Sequence, residues 1–216
     1  MSIDAEKRAA AEAAALLVED GMRVGLGTGS TVAFLLPALA ERGLELRCVA
    51  TSVATETAAR ELGLAVETFV GVDAPEQLDI AIDGADQVDP AGWLVKGGGA
   101  AHTREKAVAA AADRFVVIAS SDKLVAELSP PVPLELLEFG LAGTLRRIGP
   151  VALRDVPRSP DGGVIADYTE AFDDPAELAA RLAQTVGVVE HGLFPPELVS
   201  DVLVARGERV EHRSLG

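Results

Sequence analysis

The sequence predicts an α/β fold: a Rossmann-like, mostly parallel sheet with flanking helices, joined to a smaller ferredoxin-like α+β domain. Three observations carry this expectation. Short apolar runs such as MRVGLG, LDIAI and RFVVIAS alternate with helix-forming segments, the pattern of a parallel sheet covered on both faces. A proline-rich break at Ser129–Pro133 (SPPVP) then interrupts the texture. Beyond it the elements run strand, helix, strand, strand, helix, strand, which is the ferredoxin-like order. Residues 1–128, completed by 199–216, are expected to form the larger domain, and 129–198 the small βαββαβ domain.

Composition narrows the class of protein. The 216 residues are 49% hydrophobic but only 4% aromatic, so the core must be built from Ala, Val, Leu and Ile. A net charge of −15 argues against nucleic acid, whose phosphates need a clustered basic face. Any site for an anionic ligand must therefore be locally positive. No run of about 18 apolar residues exists, and the N-terminal stretch reads as an amphipathic helix rather than a signal peptide, so no membrane partner and a cytoplasmic location are expected. The single cysteine, Cys48, lies in the strand-like run Leu46–Ala50; it excludes an internal disulfide and reads as an inert core thiol. Of 19 basic residues only Lys7, Lys96, Lys106 and Lys123 are lysines, which raises the question of where a compact ammonium is needed.

In chain order, the N-terminal helix is followed by strand Met22–Gly27, helix Ser30–Arg42 and strand Leu44–Thr51. A helix over Glu56–Leu62 ends at Gly63, and Leu64–Phe69 reads as a third strand. Strands Leu78–Ile82 and Trp93–Val95 precede a helix over Thr103–Ala112 and the buried strand Arg114–Ser120. The small domain is expected as strand Leu134–Leu137, helix Leu141–Ile148, strands Val151–Val156 and Val164–Tyr168, helix Pro175–Val186 and strand Val188–Leu193. Leu198–Ala205 and Glu208–His212 read as a closing hairpin that returns to the larger domain.

The turn Gly25–Thr31 (GLGTGST) lies between a strand and a helix, where unsatisfied amides and the helix dipole favour an anion. Ser30 and Thr31 add hydroxyls, and one of them can cap the helix. The third glycine is displaced from G-x-G-x-x-G, and the next strand ends Ala50-Thr51-Ser52 with no carboxylate, which excludes a dinucleotide fingerprint. No lysine follows the glycines, which excludes a P-loop. A phosphate monoester or similarly small anion remains. The polar cluster Thr51–Glu56 is read as the cap of the helix starting at Glu56 rather than as further ligand wall.

The densest chemistry lies in Asp83–Lys106, DGADQVDPAGWLVKGGGAAHTREK. Asp83 and Asp86, with Gly84 and Ala85 between them, follow one apolar run, and Lys96 follows another. Gly97, Gly98 and Gly99 lead into a strong helix former that carries Glu105 in its second turn. In open α/β sheets, ligands bind outside the carboxyl ends of the strands. His102, His191 and His212 lack ligand spacing, so no metal site is expected. No serine or cysteine has an obvious histidine partner. Carboxylates, a lysine and a phosphate grip suit proton transfer beside a carbonyl. A glutamate base would need its pKa raised from about 4.3 towards 6–7.

The motifs GLGTGST, DGAD, KGGGAAHTREK and the later Gly187–Phe194 (GVVEHGLF) resemble, in order and spacing over nearly the whole chain, the ribose-5-phosphate isomerases of the A type. The resemblance implies interconversion of D-ribose 5-phosphate and D-ribulose 5-phosphate without metal or organic cofactor. It makes Glu105 the base that moves a proton between C1 and C2. It gives Asp83, Asp86 and Lys96 ring opening and polarisation, and Gly97–Gly99 backbone contacts. Thr28, Gly29, Ser30 and Thr31 would face the ligand and, with Lys7, hold its phosphate; Lys123 would be a further substrate-binding lysine, and Lys106 would make a helix-face ion pair. The resemblance also implies a homodimer or homotetramer. His102 stands where an apolar residue is common in the family and is expected to be neither acid nor base. The turn Ser159–Gly163 (SPDGG) also departs from the family's usual Asp-Asn-Gly-Asn.

Two rival classes share such a sheet. A sugar-phosphate sensor domain would need no base and would ordinarily carry a helix-turn-helix, for which the stretch before Gly21 is short and the acidic balance wrong. An acyl transferase of the CoA-transferase type would need a further basic, glycine-rich segment for its nucleotide, and the chain offers none.

Overall fold

The computed structural model describes residues 2–207 and 209–215 and divides into two units. The first takes in residues up to Ala85, Arg104–Lys123, and the chain from Glu197 onward; the second takes in Asp86–Thr103 and Leu124–Pro196. The second unit thus includes 86–103 and 124–128, ahead of the proline-rich break.

In the first unit α1 (Ile3–Ala15) starts at Ser2, whose hydroxyl accepts from the Ala5 amide. Strands β1 (Arg23–Leu26), β2 (Arg47–Ala50) and β3 (Ile80–Gly84) alternate with α2 (Val32–Ala40) and α3 (Val53–Glu61). The chain then passes through the second unit and returns within α4 (His102–Ala110) to enter β6 (Phe115–Ser120). The last strands, β12 (Asp201–Arg206) and β13 (Arg209–Ser214), complete a six-stranded sheet in the order β13-β12-β6-β3-β1-β2. All neighbours are parallel except the β12–β13 hairpin. Glu208, expected to open the hairpin's second arm, lies outside the described residues. Leu26, Ile82, Val116 and Ile118 of the strands pack with Ala10, Ala14, Leu35 and Leu39 of the helices, which is the aliphatic core that the low aromatic content requires. The hairpin is fastened by Asp201, which bonds Arg114 Nε and His212 Nε2 at 2.6 Å each. Burial pushes the Asp201 carboxyl up, but the bonds from Arg114 and His212 outweigh it and hold it below the usual range.

Two expectations fail here for physical reasons. Leu64–Phe69 is not a strand: it contributes one bridge, Cys48 to Val66. Of that run only Leu64 is buried, so no apolar face holds further rungs. The third helix begins at Val53 rather than Glu56, because Ser52 accepts from the Thr55 amide and opens it three residues earlier.

The second unit contains a four-stranded antiparallel sheet in the order β10-β7-β9-β8, built from β7 (Val132–Leu136), β8 (Val151–Leu153), β9 (Val164–Tyr168) and β10 (Val188–His191). With α5 (Leu141–Ile148) and α6 (Pro175–Ala183) this is the ferredoxin-like arrangement. Leu134, Leu136, Ile148, Ala166, Leu178 and Leu182 form its core. Trp93–Val95 does not lie in the main sheet. It shortens to β5 (Leu94–Val95), between β4 (Gln87–Val88) and β11 (Leu193–Phe194) in a separate three-stranded sheet. The expected strand Val188–Leu193 breaks at Gly192, whose backbone lies so close to the Lys96 carbonyl and the Pro133 ring that no Cβ fits. Among the described residues no helix is long and apolar enough to cross a membrane.

Candidate active site

Where β1 ends, the chain enters the glycine-rich turn. Gly27 donates to the Ile82 carbonyl at 3.0 Å, and Thr28 N–H donates to Asp83 Oδ1 at 3.1 Å. The same Asp83 oxygen accepts from the Gly84 amide at 2.7 Å. Asp83 is buried at the carboxyl end of β3. Gly27 is required beside it, since an added Cβ would run into the Asp83 side chain. Gly29 has φ +125°, a conformation that favours glycine. Thr31 occupies the cap position of α2 without a capping side-chain bond, so the expected capping does not come from Thr31.

A threonine cluster supports the turn from β2. Thr28 Oγ1 lies 2.7 Å from Thr51 Oγ1 and 3.4 Å from Thr55 Oγ1. Thr51 donates to the Leu26 carbonyl and Thr55 to the Gly27 carbonyl, at 3.3 and 2.9 Å. Sequence reasoning gave this stretch only a capping role, which Ser52 fulfils. The signal for the rest was its place at the end of a strand parallel and adjacent to β1.

Glu105 falls in the first turn of α4 rather than the second, because Ala100 and Ala101 of the helix-forming run stay outside the helix, which begins at His102. It is buried. The exit of α4 is bonded to the approach to β3, through Leu78 N–H to Ala111 O and Asp113 N–H to Leu78 O at 2.9 Å each. The first turn, with Glu105, therefore lies towards the opposite, carboxyl edge of the sheet, where β3 delivers Asp83. The dipole at a helix N-terminus favours an anion there.

Lys123 closes a 3₁₀ turn (Ser121–Lys123) directly after β6, on the same edge. Lys7 lies on α1. Glu6 fastens the two elements: one carboxylate oxygen accepts from Ser121 N–H at 2.9 Å and Ser121 Oγ at 2.8 Å, the other from Gly207 N–H at 2.8 Å. Those amides and the hydroxyl hold the Glu6 carboxyl below its ordinary range. Lys7 and Lys123 pair locally with Asp4 and Asp122 at 3.6 Å, contacts weak enough to be exchanged for a ligand's charge.

The second unit carries the remaining predicted residues. Asp86 accepts from Gly98 N–H at 2.8 Å, and its own amide donates to Val95 O. Lys96 follows β5, is buried, and places Nζ 5.4 Å from the centre of the Phe194 ring. Gly97, at φ +104°, leaves room for the fully buried His102 that a side chain would take away. Ala100 also has positive φ, 59°, uncommon for a residue with a Cβ. Arg154, which sequence reasoning did not single out, donates to the carbonyls of Gly97 and Gly98. Within the first unit the structure thus groups Thr28, Asp83 and the threonines, and within the second Asp86 with the glycine loop. Among the described residues no group of three His, Cys, Asp or Glu side chains is arranged to hold a metal ion.

Residues 47–209 match the family model described as ribose 5-phosphate isomerase A (phosphoriboisomerase A). The ribose-5-phosphate isomerase A of Caulobacter vibrioides is 45% identical, with 97% of this chain and 98% of the relative covered. The crystal structure of the Neisseria gonorrhoeae ribose 5-phosphate isomerase A superposes with a TM-score of 0.92 at 31% identity, covering 100% and 98% of the two chains. A D-ribose-5-phosphate isomerase in complex with phospho-erythronic acid matches with a TM-score of 0.91 at 31% identity, covering 99% and 100%.

Proposed function

This chain belongs to the ribose 5-phosphate isomerase A family, and on that premise we propose that it interconverts D-ribose 5-phosphate and D-ribulose 5-phosphate through an enediolate, with Glu105 as the base. The observation that supports this best is the bond from Thr28 to Asp83. It ties the Asp83 carboxylate to the anion-favouring turn, so the turn and that carboxylate share one sheet edge. The phospho-erythronic acid of the related complex, a phosphorylated sugar acid, is the kind of ligand such an edge would hold.

In this reading Thr28, Gly29, Ser30 and Thr31 face the ligand, and Lys7 and Lys123 supply charge for its phosphate. Asp83, Asp86 and Lys96 open the ring and polarise the exposed carbonyl and hydroxyl, while Gly84, Ala85 and Gly97–Gly99 line the sugar. Glu105 takes the proton from C2, which leaves the negative charge on the C1 oxygen and gives the enediolate; that oxygen then gains a proton. Return of a proton to C1 and loss of the O2 proton give the ketose. Burial is the condition under which a carboxylate serves as a base near neutral pH. No step calls for a metal or organic cofactor. The chain is taken to work in the cytoplasm as a homodimer or homotetramer, with exposed Leu137, Phe139 and Val186 as apolar surface for subunit contact.

The test is ketose formation from ribose 5-phosphate with excess EDTA. Conversion that resists EDTA is expected. Binding without conversion would leave the sensor reading, and exchange with acetyl-CoA would favour the transferase.

A further inference from the structure

Arg154, just past β8, is fixed before it reaches the glycine loop. Its Nε and Nη2 grip the two oxygens of Asp167 on the neighbouring strand β9, at 2.7 and 2.6 Å. Such a two-pronged grip restricts the planar guanidinium to one orientation. Asp167 bonding, reinforced by the Asp167 and Asp86 charges, holds the guanidinium firmly protonated. The remaining nitrogen, Nη1, donates to Gly97 O at 2.9 Å and to Gly98 O at 3.1 Å.

Those two carbonyls decide where two amides point. In a trans peptide the C=O and the following N–H lie on opposite sides. With Gly97 O held by Arg154, Gly98 N–H must face away from the guanidinium, and there it donates to Asp86 Oδ2 at 2.8 Å. With Gly98 O also held, Gly99 N–H is turned away from Arg154 in the same manner. The Gly97 carbonyl also accepts from Ala100 N–H at 3.0 Å, whereas without Arg154 the peptide between Gly98 and Gly99 would be free to flip, because glycine tolerates either sign of φ.

We infer that Arg154 is a positioning residue for the reaction: by holding the carbonyls of Gly97 and Gly98 it aims the Gly98 amide at Asp86 and the Gly99 amide at the substrate oxygen that becomes negative. This rests on the site reading above, in which the loop lines the sugar. Pre-aimed amides stabilise developing oxygen charge because they need no reorganisation during the reaction. The phosphate grip is built from other residues, so the effect falls on turnover rather than on phosphate affinity.

The test uses the full chain with Arg154→Met, Arg154→Lys and Lys96→Met, following kcat, KM, inhibition by inorganic phosphate and thermal unfolding. Arg154→Met should lower kcat by about 10²-fold, the scale of a misaimed reacting group, with phosphate inhibition unchanged. Arg154→Lys, which can reach a carbonyl but cannot also grip Asp167 with two prongs, should fall between Met and wild type. A folded Arg154→Met with wild-type kcat overturns the inference. Should the Met variant not fold, the Lys variant decides: a lowered kcat with unchanged phosphate inhibition supports it, and a wild-type kcat overturns it. Lys96→Met separates the two levels. If it is inactive while the Arg154 variants are fully active, this inference alone falls; if it is fully active, the site reading falls and this inference with it.

Discussion

The carboxylate of Asp83 and the backbone amide of Thr28, 55 residues apart in sequence, are joined by a 3.1 Å hydrogen bond that locks the end of β3 to the glycine-rich turn. Gly27 makes the approach possible, because any side chain there would occupy the space of the Asp83 carboxylate. Gly27→Ala should therefore displace Asp83. We expect a loss of about 1–3 kcal/mol, the usual cost of overpacking, together with a lowered kcat. Urea unfolding and steady-state kinetics check both, and a Gly27→Ala variant of wild-type activity would sink the assignment of Asp83 to the site.

Glu6 offers a pH test. The Gly207 amide, then the Ser121 amide and hydroxyl, hold its carboxyl below the ordinary value of 4.5. A lowered folded value means that the group's stabilisation is fully present above pH 4.5 and is lost as the pH falls through the folded value. Glu6→Gln should destabilise the protein at pH 7, and the gap to wild type should shrink below pH 4.5. Because Glu6 ties α1 to the turn that carries Lys123, the variant should also raise KM for ribose 5-phosphate. A stability gap that stays constant from pH 7 to pH 3 contradicts the clamp.

Cys48 should be silent. Burial, with a smaller push from the Glu67 charge, raises its thiol from 9.0 to about 12. The native thiol should resist a disulfide reagent at pH 8 and react once urea exposes it. The sign of the linkage is also fixed: a raised folded value stabilises fully below pH 9.0 and loses that contribution as the pH climbs towards 12. Replacing Cys48 by Ala should remove that part of the alkaline decline. Rapid labelling of the folded protein would contradict the burial.

Elements whose own residues decide them were legible in the sequence. Leu141–Ile148 and Val164–Tyr168 were bounded correctly because an amphipathic period and an apolar run with clear turn signals act locally. Leu64–Phe69 misled because a strand also needs a neighbour and a buried face, and only Leu64 has one. The site divides the same way. DGAD, KGGG and the glycine-rich turn announce themselves through composition and spacing. The support that Thr51 and Thr55 give the turn, the Glu6 clamp and the grip of Arg154 on Gly97 and Gly98 join residues 20 or more positions apart, so they existed only once the chain had folded. Trp93–Val95 was seen as a strand but given the wrong sheet, since two paired residues carry no information about partners.

The central claim is that Glu105 carries the proton between C2 and C1. It is tested most directly by converting ribose 5-phosphate labelled with deuterium at C2, comparing wild type with Glu105→Gln in EDTA. The wild type should pass only part of the label to C1 and lose the rest to water. In the variant, turnover and label loss should fall together by about 10²–10⁴-fold, the scale of a positioned general base. Full turnover by Glu105→Gln, or complete retention of the label at C1, would contradict it.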